Sequence, residues 1–96
     1  MHIIKKGTID GYAKKYPDSK AALNRWYLIT ERSEWKNIND MKESFSSVDF
    51  VGDDLYVFDI TNNYRLIARI FFKKQLVYIR FIGTHAAYDK VDLDNL

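Results

Sequence analysis

The chain contains no cysteine, which excludes disulfides and thiolate zinc sites and suits a reducing compartment. Proline occurs once, at Pro17, and histidine only twice, at His2 and His85. No apolar run approaches the roughly 20 residues of a membrane span. The opening Met1-His2-Ile3-Ile4-Lys5-Lys6 lacks the long apolar region of a signal peptide and reads as a first strand. A cytoplasmic protein without membrane contact is expected. The carboxylates are scattered, with no His-x-x-x-His or paired-carboxylate pattern, so neither metal nor cofactor is expected. No repeat, low-complexity tract or linker divides the chain, and its 96 residues leave room for one domain over 1–96.

What is present is apolar and aromatic: 47% hydrophobic and 16% aromatic residues are ample for a packed globule. The net charge of +2 is small but unevenly spread. Between Tyr64 and Lys90 six basic residues face Asp89 alone, a balance of +5, whereas Met1 to Asn63 carries −1 and Val91 to Leu96 −2. Cations gathered in one third of a small domain are what a polyanion-binding face requires. A solvated hairpin would look the same.

The periodicity divides the chain into helices, then strands. Ile9, Tyr12, Ala13 and Tyr16 recur at helical spacing after Thr8, a residue suited to capping. Pro17 disfavours helical geometry at Tyr16 and ends that helix. Asp18 is expected to cap a second helix with Ala22, Leu23, Trp26, Tyr27 and Ile29 inward, and Asn37 to Ser44 to form a third. After Ser46 the period becomes two. Val48 to Val51, Leu55 to Ile60, Tyr64 to Phe72 and Leu76 to Ile82 read as strands, the last two joined by Lys73-Lys74-Gln75. Tyr64, Leu66, Ala68, Ile70 and Phe72 fall on one side of their strand, facing the helices, and Arg65, Ile67, Arg69 and Phe71 on the other. The fold class is α+β: a helical hairpin packed on a mainly antiparallel, twisted sheet that ends in a β-meander.

Chemistry concentrates where the last strand gives way. Gly83-Thr84 interrupts an apolar run, and His85, Tyr88, Asp89 and Lys90 follow at once. Strand ends are where rigid scaffolds present reactive side chains. Arg65 and Arg69 share one strand face about 13 Å apart at roughly 3.3 Å per residue. Arg80 joins them only if the connecting loop has two or four residues. Planar guanidinium groups grip paired phosphate oxygens, although Asp59, Asp53 or Asp54 could tie them up as ordinary cross-strand partners. Proton transfer beside a phosphate needs a base, an acid and a group that stabilises the charge developing at phosphorus. His85 suits base or acid, Arg65 the charge, and Tyr88 positioning or stacking. Lys90, Lys73, Lys74, Arg69 and Arg80 are candidate contacts to a polyanion such as RNA. His85, Tyr88 and Arg65 are expected to meet in a shallow concavity on the sheet face away from the long helices.

Trp26-Tyr27, Glu34-Trp35, Tyr64-Arg65-Leu66-Ile67, then Tyr78-Ile79-Arg80-Phe81-Ile82-Gly83-Thr84-His85 with Tyr88-Asp89-Lys90, occur in this order and at close spacing. Together they closely resemble the HigB family of toxins, a branch of the RelE-like superfamily, over roughly Ile3 to Asp92. The resemblance implies a toxin of a toxin-antitoxin module: an endoribonuclease that cuts messenger RNA in the ribosomal A site, needs no cofactor and is neutralised by a helix-turn-helix, HigA-like antitoxin. It also implies a catalytic role for His85, since superfamily members commonly carry an arginine or histidine just past the last strand. Two other readings fit the same fold: a non-catalytic toxin that binds a protein target, and an inactive module retained as an antitoxin partner.

Overall fold

The computed structural model describes residues 1–96. Strand β1 (His2–Ile4) leads into helix α1 (Lys6–Lys15) through Lys5, which sits in the left-handed region at φ 76°. Thr8 therefore lies inside the first turn instead of capping it. Ile9 and Ala13 are buried, with Tyr12 and Tyr16 half-buried, so the apolar stripe faces inward. Pro17 ends α1 and opens a single 3-10 turn, Pro17–Ser19, before α2 (Lys20–Arg32). Asp18 does not cap α2, because its carboxylate accepts a 2.7 Å hydrogen bond from the Tyr64 hydroxyl. A tie between distant segments has replaced a local cap. The inward face of α2 is Leu23, Trp26 and Thr30, flanked by half-buried Ala22, Tyr27 and Ile29. Helix α3 (Ile38–Ser44) starts at Asn37, whose side chain accepts from the Asp40 N–H at 3.0 Å.

Four further strands follow: β2 (Asp49–Phe50), β3 (Leu55–Asp59), β4 (Tyr64–Phe71) and β5 (Leu76–Thr84), then a short helix α4 (His85–Asp89). The sheet order is β1-β5-β4-β3-β2, antiparallel except for the β1–β5 pair. The helices cover one face, and Leu23, Trp26, Met41, Phe58, Leu66, Ala68 and Ile70 lie in the core between the layers. Trp26 and Phe45 meet Phe58 edge-on, each with ring centroids 5.4 Å apart.

The opposite face is partly covered as well. Leu55, Val57 and Ile67 form a second, smaller core under Val51, Phe81, Tyr88, Val91, Leu93 and Leu96. The chain after β5 thus folds back over the β3–β4 half of that face. Two details of β5 depart from the expected pattern. The strand runs on through Gly83 and Thr84 instead of stopping at Ile82, with Gly83 paired to Arg65 and Thr84 to Tyr64. Gly83 is required there because the Phe81 ring occupies the space a Cβ would fill. A β-bulge also interrupts the β4–β5 pairing: Ala68 faces Ile79 and Ile67 faces Phe81, so Arg80 is the extra residue.

Candidate active site

Three side chains converge where β3, β4 and α4 meet. Arg65, second residue of β4, is paired across the sheet with Asp59 on one side and Gly83 on the other. One arm of its guanidinium bonds the Asp59 carboxylate, and the other meets His85 Nε2 at 2.5 Å. The Tyr88 ring lies 5.4 Å from the guanidinium carbon, a cation–π contact. The structure thus brings together Arg65, His85 and Tyr88, and adds Asp59.

Local capping explains how α4 delivers its two residues. Thr84 Oγ1 accepts from the Ala87 N–H at 3.1 Å, and the His85 N–H donates to the Asn63 carbonyl at 3.0 Å. The first turn of α4 is therefore pinned both to itself and to the loop before β4. Within that turn His85 and Tyr88 are three residues apart and share a face. Gly83 is paired opposite Arg65, and the Phe81 ring fills the space its side chain would take.

The hydrogen bonds also specify the imidazole's state. A guanidinium N–H can only donate, so Nε2 presents its lone pair to Arg65 and the ring proton sits on Nδ1. Nδ1 points toward Asp89, one helical turn later, at 3.8 Å. That spacing is too long for a hydrogen bond and short enough for electrostatic orientation. Asp59, Arg65 and His85 are linked by hydrogen bonds, and Asp89 stands beside the far end of that chain. The composition pattern did not single out Asp59 or Asp89 as parts of the site; the cross-strand register and the i, i+4 spacing are the signals that carry them.

The remaining candidates are dispersed. Arg69 is held by Asp53 at 3.1 Å and by the Leu96 carbonyl at 3.0 Å, and lies under the returning C-terminal segment. Asp53 can serve there because the tight turn places it at φ 52°, a left-handed conformation that aspartate tolerates. Arg80, at the bulge, is exposed and stacks 5.1 Å over Tyr78. Lys90 is exposed at the end of α4. Lys73 and Lys74 lie in the four-residue connection Phe72–Gln75, at the far end of β4 from Arg65. His2 is exposed on β1, away from His85. None of the four cavities is lined by Arg65, His85 or Tyr88. His85 is 52% exposed and Arg65 22%, which leaves the imidazole accessible and the guanidinium held in place. No three His, Asp or Glu side chains converge as metal ligands would.

A hydrogen-bonded Arg–His pair backed by carboxylates, on an open cationic surface, is equipped to hold a phosphodiester and move a proton beside it. Comparison with known proteins identifies the family. Residues 19–91 match the sequence family described as HigB_toxin, RelE-like toxic component of a toxin-antitoxin system. The chain is 33% identical over 94 residues to the mRNA interferase HigB of Escherichia coli (UPEC), a match spanning 95% of this chain and 91% of that protein. It is 34% identical over 92 residues to the mRNA interferase HigB of Shigella flexneri, spanning 93% and 88%.

Proposed function

The chain belongs to the HigB family of RelE-like toxins, the toxic components of toxin-antitoxin systems, and on that premise we propose that it is an endoribonuclease that cuts translated messenger RNA in the ribosomal A site. The observation that carries this reading is the Arg65 guanidinium held between Asp59, His85 and Tyr88. Its relatives bear the name mRNA interferase, and the pair of proton carrier and charge stabiliser is what transesterification of RNA needs.

In the resting state the two terminal nitrogens of Arg65 are engaged by Asp59 and by the lone pair of His85. An incoming phosphodiester offers the guanidinium two oxygens in the geometry it grips best. Arg65 turns onto the phosphate, and His85 Nε2 is released to take the proton of the adjacent 2′-hydroxyl. The 2′-oxygen attacks phosphorus, and Arg65 neutralises the charge developing on the non-bridging oxygens. The bond from phosphorus to the 5′-oxygen breaks, and Tyr88, a hydroxyl donor three residues from the base, supplies a proton to the leaving oxygen. The products are a 2′,3′-cyclic phosphate and a free 5′-hydroxyl. No metal takes part. Asp89 steadies the imidazolium through Nδ1. The ribosome supplies the substrate's geometry, which accounts for a site that is a surface and not a pocket. A toxin of such a module has a cognate antitoxin, here a helix-turn-helix, HigA-like protein whose acidic segment is drawn to the cationic hairpin, and both act in the cytoplasm.

A toxin that only binds a protein target has no use for an imidazole held by an arginine. Primer extension on a translated message, with and without ribosomes, tests the reading. His85→Ala should lower ribosome-dependent cleavage by about 10²- to 10⁴-fold without unfolding, because the side chain is exposed past the end of β5. A folded His85→Ala protein that cleaves at the wild-type rate would remove His85 from the mechanism.

A further inference from the structure

The half of the sheet face that the C-terminal segment leaves open has its own chemistry. On β5, Val77 and Ile79 are buried toward the helices, whereas Leu76 and Tyr78 are half-buried and Arg80 is exposed. By register Leu76 lies beside Phe71 and His2, and Tyr78 beside Arg69 and Ile4. Phe71, Leu76 and Tyr78 belong to neither of the two apolar cores. The two rings each have an exposed cation beside them instead: Arg80 lies 5.1 Å from the Tyr78 centroid and the Lys74 ammonium 6.0 Å from that of Phe71. With Arg65 over Tyr88, three cation–aromatic pairs follow the β4–β5 hairpin from the candidate active site to its turn. Strands β1, β4 and β5 carry no acidic side chain at all.

We propose that this open half-face, centred on Tyr78 and Arg80, is a platform that holds a single-stranded RNA segment next to the cleavage site. The inference rests on the RNA-cleaving reading and names how the substrate strand is held. Every base has a flat face that can stack on an aromatic ring, and the neighbouring cation meets the phosphate that follows it. A duplex buries those base faces and offers only its backbone. The bulge contributes directly. The extra residue leaves both Arg80 and Phe81 on the outer side of β5, Phe81 in the small core and Arg80 free beside Tyr78. The absence of carboxylates on the three strands removes the repulsion that Asp53 and Asp54 exert at the other edge. Continuity with Arg65 makes the platform an extension of the active surface.

The test is fluorescence anisotropy with a short fluorescein-labelled RNA carrying 2′-O-methyl groups, so that it binds without being cut. The same RNA annealed to its complement is the second probe, and poly-L-glutamate the third. Tyr78→Leu, which keeps apolar bulk on a half-buried site, should weaken single-strand binding about tenfold, the effect of one lost stacking partner. Tyr78→Phe should restore it. Arg80→Gln should weaken it too and lower the salt slope by about 0.7, the signature of one phosphate contact on a single strand. Thermal melting by circular dichroism establishes that each variant is folded. Wild-type affinity in Tyr78→Leu, or equal affinity for duplex and single strand, would overturn the platform. Capture of poly-L-glutamate but not of RNA, lost in the same variants, would overturn it in favour of an acidic polypeptide. The two proposals fail separately. Tyr78-dependent binding by a protein that never cleaves a translated message would leave the platform standing and sink the nuclease. Cleavage with Tyr78-independent binding would do the reverse.

Discussion

Replacing Arg65 by lysine separates the charge at the active site from its geometry. The guanidinium reaches Asp59 with one arm and His85 with the other while its plane lies against Tyr88. A lysine keeps the positive charge but ends in a single ammonium, which cannot serve both neighbours or grip two phosphate oxygens. If the fork is what stabilises the transition state, Arg65→Lys should cost about 10²- to 10³-fold in cleavage rate, equivalent to about 2.7–4 kcal/mol. Its effect on the fold should be small. The Arg65–Asp59 pair is partly solvent-exposed and the Arg65 Nε is buried without a partner, so the net stabilisation is about 0–1 kcal/mol. RNA association should keep its salt dependence, because the number of charges is unchanged. Initial rates of cleavage on translated message, read by primer extension alongside thermal melts, measure all of this. A folded Arg65→Lys protein cutting within about threefold of wild type would show that any cation suffices and that the bidentate reasoning is wrong.

Two predictions concern the scaffold. Phe58→Ala empties a site that is 1% exposed and wedged against Trp26, Trp35 and Phe45. It should cost about 3–5 kcal/mol in urea unfolding, with activity lost only in proportion to the unfolded fraction. The Tyr64 hydroxyl is pushed up to about 12, first by the hydrogen bond it donates to Asp18 and then by burial. A phenol that holds its proton more tightly in the folded state stabilises the fold fully below the ordinary tyrosine value near 10. That contribution fades as pH rises from about 10 toward 12. Tyr64→Phe should therefore flatten part of the alkaline loss of stability, followed by denaturant midpoints across that range. An alkaline limb as steep as in the wild type would refute the Asp18–Tyr64 link.

Much of the architecture was legible because it follows from periodicities of 3.6 and 2. Ile9 and Ala13 do face the core, Pro17 does end the first helix, and Leu66, Ala68 and Ile70 do turn toward the helices. The errors lie where a local signal lost to a distant partner. Thr8 and Asp18 are both good capping residues, but the position of α1 is set by Lys5 and β1, and Asp18 is claimed by Tyr64 from 46 residues away. No window-based pattern contains that contact. The fold-back of Val91, Leu93 and Leu96 over Leu55, Val57 and Ile67 was equally hidden, since a short irregular segment has no period to read.

The site divides along the same line. Arg65 and His85 lie twenty residues apart, and an antiparallel hairpin is the element that turns such a separation into contact. The register that pairs Tyr64 with Thr84 places the next residue in on one strand beside the next residue out on the other. Alternation predicted that Arg65 and Arg69 share a face, which they do, but alternation says nothing about which partner each meets. One carboxylate directly across the sheet and another in a turn gave the two arginines different environments. Arg65 and its Asp59 remain beside an exposed imidazole, while Arg69 is shut between Asp53 and the Leu96 carbonyl. Arg80 shows the same limit from the other side. A four-residue connection would set Arg80 opposite Ile67, on the face of Arg65 and Arg69, yet one unpaired residue in β5 leaves it facing no residue of β4. A bulge inserts no proline or glycine and leaves the strand's composition intact, so counting along the chain cannot find it. The cations that a sequence groups together by number are sorted by pairing geometry: one into the site, one under a covering segment, and one onto an open aromatic surface.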